Sequence, residues 1–240
     1  MPRAVLCLPT YNERENLESM IEALGEVLDT ERDRVLVIDD GSPDGTGEIA
    51  DRLAAELGWV SVLHREAKEG IGPAYIAGFR RALADGAELV LEMDCDFSHD
   101  PADVPRLIAA TDEADLVLGS RYARAGGTRN WSLLRRFVSR GGCLYAQIIL
   151  GLRVRDLTGG FKCFRRVALE ALDLEELHAH GYAFQIETTY RVTRAGLRVK
   201  EVPITFTERR AGASKMTGSI VTEAMWRVPL LRLRALAGRL

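Results

Sequence analysis

Three clusters in the first hundred residues have side chains and spacing suited to chemistry. Asp94-Cys95-Asp96 places two carboxylates two residues apart, and on an extended chain residues i and i+2 face the same side. Such a pair suits a hard divalent cation that keeps several waters and shares its remaining positions with substrate phosphates. The segment Asp39-Asp40-Gly41-Ser42-Pro43-Asp44-Gly45-Thr46 is denser in acceptors. Asp39 and Asp40 can accept from a base N–H or a ribose hydroxyl, as acidic residues do in dinucleotide folds. Asp44 and Thr46 are assigned instead to turn and helix-cap chemistry. Pro9-Thr10-Tyr11-Asn12-Glu13 forms the third cluster. Tyr11 could stack on a base or simply pack at a rim.

These clusters need a scaffold, and the pattern around them supplies one. Short apolar runs at 4–8, 35–38, 60–63, 89–93 and 116–118 alternate with helical spacing over 13–28, 49–57, 73–84 and 101–110. Near-continuous apolar strands alternating with helices imply a mostly parallel sheet with helices on both faces. Ligands in such α/β sheets bind beyond the carboxyl ends of the strands. All three clusters fall there, on one rim. After Arg121 the pattern changes: 131–150 predicts a helix weakened by Gly141-Gly142. Residues 156–164 predict a loop entering a strand, 184–195 a helix and 199–206 a strand whose Pro203 indicates an edge or a bulge. Residues 220–240 predict an amphipathic basic helix that Pro229 should kink or split.

Several chemistries are excluded. Neither GxGxxG nor GxxxxGK[ST] follows the first strand, against a nicotinamide enzyme or a P-loop NTPase. There is no GxSxG and no CxxC, and the four cysteines at 7, 95, 143 and 163 have no zinc-like spacing, so they are expected to be reduced and buried. His178-x-His180 is too sparse for a metal site. The 240 residues suffice for one well-buried domain. A net charge of −3 argues against a nucleic-acid partner. Charge is uneven, however: residues 121–166 hold 11 Lys and Arg against the single acid Asp156, and residues 191–240 hold 11 against 3. That basic second half suits phosphates or anionic lipid. No run of about 18 apolar residues exists to span a membrane.

Taken in order, PTYNE, VLVIDDGSPDGT, DCD followed by SH, GSRY, DLTGGFK, FQIE and VPITFTERRAGASK resemble the family 2 glycosyltransferases of GT-A fold, specifically polyprenol (dolichyl) phosphate mannose synthases. The resemblance spans residues 4 to about 220. The QxxRW signature of processive polysaccharide synthases is missing, against a polymerase. The resemblance implies transfer of one mannose from GDP-mannose to a polyprenyl monophosphate, with GDP released. It implies that Pro9, Tyr11, Glu13, Ile38 and Asp40 hold the nucleoside. It implies that Asp94 and Asp96, with the Cys95 backbone alongside and Ser98 as a metal neighbour, hold Mg²⁺ or Mn²⁺ on the diphosphate. Arg209 and Lys215 would close over the donor phosphates; Arg121, Arg135 and Ser139 would form the acceptor-phosphate pocket, with Asp94, Asp96 and Arg121 as the catalytic set. It divides the chain into a GT-A domain at 1–218, with a nucleotide-sugar half at 1–120 and an acceptor half at 121–218, and a basic amphipathic helix at 219–240.

The expected mechanism needs no general base. A phosphomonoester, with its second pKa near ~6, is largely dianionic at pH 7. It needs an anion pocket instead, and Arg supplies bidentate contacts. A single displacement inverts the anomeric centre to a β-linkage. The helix near Trp131 and the C-terminal helix are expected to meet the cytoplasmic face of a membrane peripherally, with packing of the latter on the domain as the alternative. That arrangement leaves room for a separate membrane subunit as partner. Two other readings stay open: a polyprenyl phosphate glucose synthase using UDP-glucose, and a non-catalytic nucleotide- or membrane-binding module.

Overall fold

The computed structural model describes residues 1–177, 181–208 and 218–238. Arg209, Lys215, His178 and His180 lie outside the described residues. In the first half the elements run β1 (Ala4–Thr10), α1 (Leu17–Gly25), β2 (Asp33–Asp39), α2 (Thr46–Glu56), β3 (Val60–His64), α3 (Ile71–Ala84), β4 (Leu89–Glu92), a 3₁₀ turn (Pro101–Asp103), α4 (Val104–Ala110) and β5 (Leu116–Ser120). The second half adds β6 (Gly127–Arg129), α5 (Leu133–Leu150), β7 (Lys162–Arg165), α6 (Arg166–Glu170), α7 (Gly181–Arg194), β8 (Val199–Pro203), β9 (Thr205–Thr207) and α8 (Gly218–Leu236).

Seven strands form one sheet in the order β3-β2-β1-β4-β7-β5-β8. All pairings are parallel except those of β7, which runs antiparallel between β4 and β5. Alternate residues of β1 feed two cores. Val5 and Cys7 join the layer under α3, α5, α6, α7 and α8, while Ala4, Leu6 and Leu8 join the layer under α1, α2 and α4. The period-2 alternation with both faces apolar is what a doubly covered sheet requires. The α3 side is reinforced by rings: Tyr75 stacks on Phe79 and Phe184, and Phe164 tilts against Phe79. All four cysteines are buried free thiols.

The second half departs from expectation at several places, the short helix α6 among them. The segment expected as one strand at 199–206 is two, broken at Ile204: β8 closes the large sheet at its edge, with Pro203 at its end, and β9 turns away to pair with β6. β6, a further short strand, was not anticipated. Gly141 and Gly142 do not interrupt α5, because both sit on its exposed side and the amphipathic packing of Cys143, Ala146 and Leu150 carries the helix. A Cβ at Gly141 would meet nothing within 4 Å. Gly141→Ala is therefore expected to raise stability by about 0.5–1 kcal/mol, read as a shift of the urea midpoint.

Pro229 does not split α8, which runs unbroken through it from Gly218 to Leu236. A proline removes the bond from its own nitrogen to the carbonyl four residues earlier. Here that carbonyl, Met225 O, accepts from the Tyr145 hydroxyl of α5 at 2.8 Å. α8 thus packs on α5 and α7, burying Val228, Leu231 and Ala235. Trp226, Leu230, Leu233 and Leu236 stay exposed on it.

Candidate active site

The loops after β1 and β2 are stitched together into one rim. The Glu13 N–H donates to Thr46 Oγ1 at 3.0 Å, and the Asn12 N–H to Ser42 Oγ at 3.1 Å. Asp44 accepts from the Thr46 N–H and hydroxyl at 3.0 and 2.6 Å, the turn role expected of it, while the N-cap position of α2 is Gly45 and carries no side-chain cap bond. Asp40 is buried, where it accepts from Arg65 Nη1 and from the Gly70 N–H at 3.1 Å. Asp39 turns toward the Ser42 N–H. Tyr11 and Pro9 lie half-buried at this rim, and the Glu13 carboxylate accepts from Asn16 at 2.8 Å. The Ile38 side chain is fully buried in the α3-side core, which leaves its backbone as the part that faces the rim. Its backbone carbonyl accepts from Thr10 Oγ1 at 3.4 Å.

Two cations at this rim were missed in the sequence. Arg65 pairs with Asp40, and the Lys68 ammonium stands 3.8 Å from the Tyr11 ring centroid. They come from the β3–α3 loop, a charged stretch that carries no motif of its own in the sequence.

The paired carboxylates do not sit on an extended strand. β4 ends at Glu92, and Asp94 to Asp96 lie in a turn closed by a bond from the Ser98 N–H to Asp96 Oδ1 at 3.0 Å, with Phe97 at φ 57°. Short side-chain-to-backbone bonds of this kind compete with strand pairing. The turn differentiates the two groups: the Asp94 side chain is 31% exposed, whereas Asp96 is buried, and Cys95 packs into the core. The Ser98 hydroxyl is buried without a hydrogen-bond partner, and His99 Nε2 lies 3.7 Å from Asp94 Oδ2. No cluster of three or more His, Cys, Asp and Glu with metal-site geometry occurs among the described residues. Two carboxylates with an orphaned hydroxyl beside them still fit a hard cation that completes its shell with water and phosphate oxygens.

Beneath this turn lies a second group missed in sequence. Glu92 and Lys162 face each other across β4 and β7, both fully buried, with the Lys162 ammonium donating to Gln185 O and Thr188 Oγ1 at 2.9 Å each. Burial pushes the Glu92 carboxyl up to about 7 and the Lys162 ammonium down to about 8, each partly offset by the other's charge. Only the antiparallel insertion of β7 brings them together.

On the acceptor side, Arg121 follows β5 and is buried. Its Nε and Nη2 hold Asp156 at 2.7 and 2.6 Å, and Nη2 also reaches Thr158 Oγ1 at 2.7 Å. Arg135 pairs with Glu208 at 2.8 Å, and Ser139 accepts from the Tyr122 hydroxyl at 2.8 Å. Gly126 lets this turn close: a Cβ there would stand 2.5 Å from Ser120 O and 3.0 Å from Arg121 O. Gly126→Ala is expected to cost about 1–3 kcal/mol in chemical denaturation, because backbone must move to admit the methyl.

Residues 5–173 match the profile described as Glycosyl transferase family 2. The chain belongs to glycosyl transferase family 2. This glycosyltransferase is 49% identical to the undecaprenyl-phosphate mannosyltransferase of Micrococcus luteus over 93% of its own length and 91% of that protein. It is 46% identical to the polyprenol monophosphomannose synthase of Mycolicibacterium smegmatis, over 94% and 85% respectively. Among solved structures it is similar to glucosyl-3-phosphoglycerate synthase from Mycobacterium tuberculosis. The complex with phosphoglyceric acid superposes with a TM-score of 0.71 at 23% identity, covering 96% of this chain and 80% of that one. The complex with Mn²⁺, UDP-glucose and phosphoglyceric acid gives 0.68 at 21%, over 96% and 80%. Those likenesses establish the fold, the α/β GT-A class with helices on both faces of a mostly parallel sheet.

Proposed function

We propose that this glycosyltransferase moves mannose from GDP-mannose to a polyprenyl monophosphate at a membrane surface, with inversion to the β-linked product. The observation that carries the reading is one rim with paired carboxylates on its donor side and Arg121 and Arg135 on its acceptor side. It occurs in a chain 49% identical to an undecaprenyl-phosphate mannosyltransferase.

Pro9, Tyr11, Glu13, Asp40 and the Ile38 backbone would bind the nucleoside. Asp94 and Asp96, with Ser98 adjacent, would hold Mg²⁺ or Mn²⁺, which supplies charge stabilisation to the departing diphosphate. Arg209 and Lys215 are proposed to add cationic charge there. Arg121, Arg135 and Ser139 would orient a phosphate that is already ionised and so acts as nucleophile without a base.

The membrane reading rests on α5 and α8. Leu133, Leu134, Phe137 and Ile148 on α5, and Trp226 and Leu233 on α8, are each more than 60% exposed, among Arg136, Arg140, Arg227 and Arg234. Exposed Leu, Phe and Trp flanked by Arg suit an interfacial helix on anionic lipid. Among the described residues no helix is long and apolar enough to cross a membrane. Attachment would therefore be peripheral, on the cytoplasmic face, with room for a separate membrane subunit.

The test supplies purified protein, Mg²⁺ or Mn²⁺ and a short polyprenyl phosphate with GDP-mannose or UDP-glucose, and weighs the lipid product. A mannosyl lipid that disappears with chelator supports the reading. A glucosyl lipid moves the donor, and no product from either donor, in detergent or in membranes, removes the reading.

A further inference from the structure

The acceptor-side cations are organised by a ring rather than by the chain that carries them. Arg135 Cζ lies 4.2 Å from the Trp131 ring centroid and Arg121 Cζ lies 5.5 Å from it. Phe206 meets Trp131 edge-on at 5.3 Å, and His99 meets Phe206 at 5.1 Å and Phe161 at 4.9 Å. His99 in turn touches Asp94 at 3.7 Å. The backbone follows the same line. β9, which carries Phe206, pairs with β6 immediately before Trp131, and the Thr207 N–H donates to Ser98 O at 3.0 Å. One aromatic column thus runs from the paired carboxylates to the two guanidiniums.

Trp131 is 6% exposed, and its indole N–H has no hydrogen-bond partner; Arg135 Nε is a second buried donor in the same state. Unpartnered donors this deeply buried are rare and point to an acceptor that arrives with a ligand. Both guanidiniums lie over the indole ring, Arg135 the nearer. A guanidinium lying on an aromatic face uses its π surface and keeps its in-plane N–H donors for a planar or phosphate partner. The bonds of Arg121 to Asp156 and Thr158 use Nε and Nη2, and that of Arg135 to Glu208 uses Nη1, so each guanidinium keeps a further nitrogen for an anion.

We propose that Trp131 is the positioning residue of the acceptor-phosphate pocket: its ring spaces Arg121 and Arg135, its indole N–H adds a donor, and through Phe206 and His99 it fixes that pocket relative to Asp94. This rests on the proposed use of a polyprenyl monophosphate as acceptor. It adds a residue that neither side of the rim's charge pattern identifies.

The experiment compares Trp131→Leu and Trp131→Phe for their steady-state constants toward GDP-mannose and a short polyprenyl phosphate, with Tm as the fold control. Trp131→Leu is expected to raise the acceptor KM roughly tenfold or more while the donor KM stays within about twofold, and Trp131→Phe, which keeps a face but no N–H, to fall between it and the parent. Unchanged acceptor KM in both, or losses of kcat that simply follow Tm, overturns the proposal. A second measurement covers a Trp131→Leu chain that fails to fold. In a Trp59→Phe, Trp226→Phe background, Trp131 emission is expected to change saturably with added polyprenyl phosphate. No change while radiolabelled lipid binds overturns the proposal. No lipid binding at all removes the acceptor reading and this inference with it. Lipid binding without mannosyl transfer removes only the donor reading.

Discussion

Asp96→Asn is expected to lower mannosyl transfer by about 10²–10³-fold, the scale of losing one preorganised charge-stabilising group. The substitution isolates charge from shape. Asn keeps an oxygen to accept from the Ser98 N–H, the bond that closes the turn, so Tm should move by no more than roughly 3 °C. Asp96 is buried and Asp94 is partly exposed, so Asp96 is the carboxylate whose charge water screens less. Mn²⁺ binding in the presence of GDP, read by its EPR signal, should weaken in parallel. A protein that keeps parental activity and Mn²⁺ affinity would remove Asp96 from the catalytic set and revive the non-catalytic alternative.

The second large effect is on stability. Asp156→Ala leaves the buried Arg121 guanidinium without its carboxylate, a loss worth about 3–5 kcal/mol. At this chain length that corresponds to a fall in Tm of roughly 6–20 °C by calorimetry. The pair is held from several directions: Glu201 on β8 accepts from the Asp156 N–H at 3.0 Å and from the Ser120 hydroxyl at 2.6 Å. The pH dependence has a definite sign. Burial alone would push the Asp156 carboxyl up, but the Arg121 guanidinium and the hydrogen bonds outweigh it, so the folded value lies below the ordinary carboxylate range. A depressed pKa contributes stability that is fully present above the unfolded value, near ~3.9, and is lost as pH falls through the folded value. The Tm gap between parent and variant should hold from neutral pH down to about 4 and shrink below it. A constant gap down to pH 2 would mean that Asp156 acts by shape and not by charge.

Asp156 also shows why sequence reading stopped short on the acceptor side. It stood out only as the single acid in a basic stretch, while the resemblance placed Arg121 in the acceptor-phosphate pocket with no partner named for it. The two are 35 residues apart and meet because β7 enters the sheet antiparallel between β4 and β5. A crossing of that kind leaves no local periodicity to read. Glu92 and Lys162 were hidden for the same reason. Phe206 and Trp131 carried only the generic marks of a strand and a helix start.

The first half was legible because its determinants are local. Apolar runs of strand length, helical spacing between them and polar clusters at each run's end follow from side-chain period alone. They fixed β1 to β5, the doubly covered sheet and the rim at its carboxyl ends, and the ordered motifs identified the glycosyltransferase family. The tertiary structure decided how those groups are spent. It turned Asp94 and Asp96 into one exposed and one buried carboxylate, and sent Ile38 into the core. It satisfied the carbonyl that Pro229 would orphan, and set two guanidiniums 4.2 and 5.5 Å from the centre of one indole. Each of these depends on contacts between residues tens of positions apart, whose energies appear only when the backbone brings them within a few ångströms.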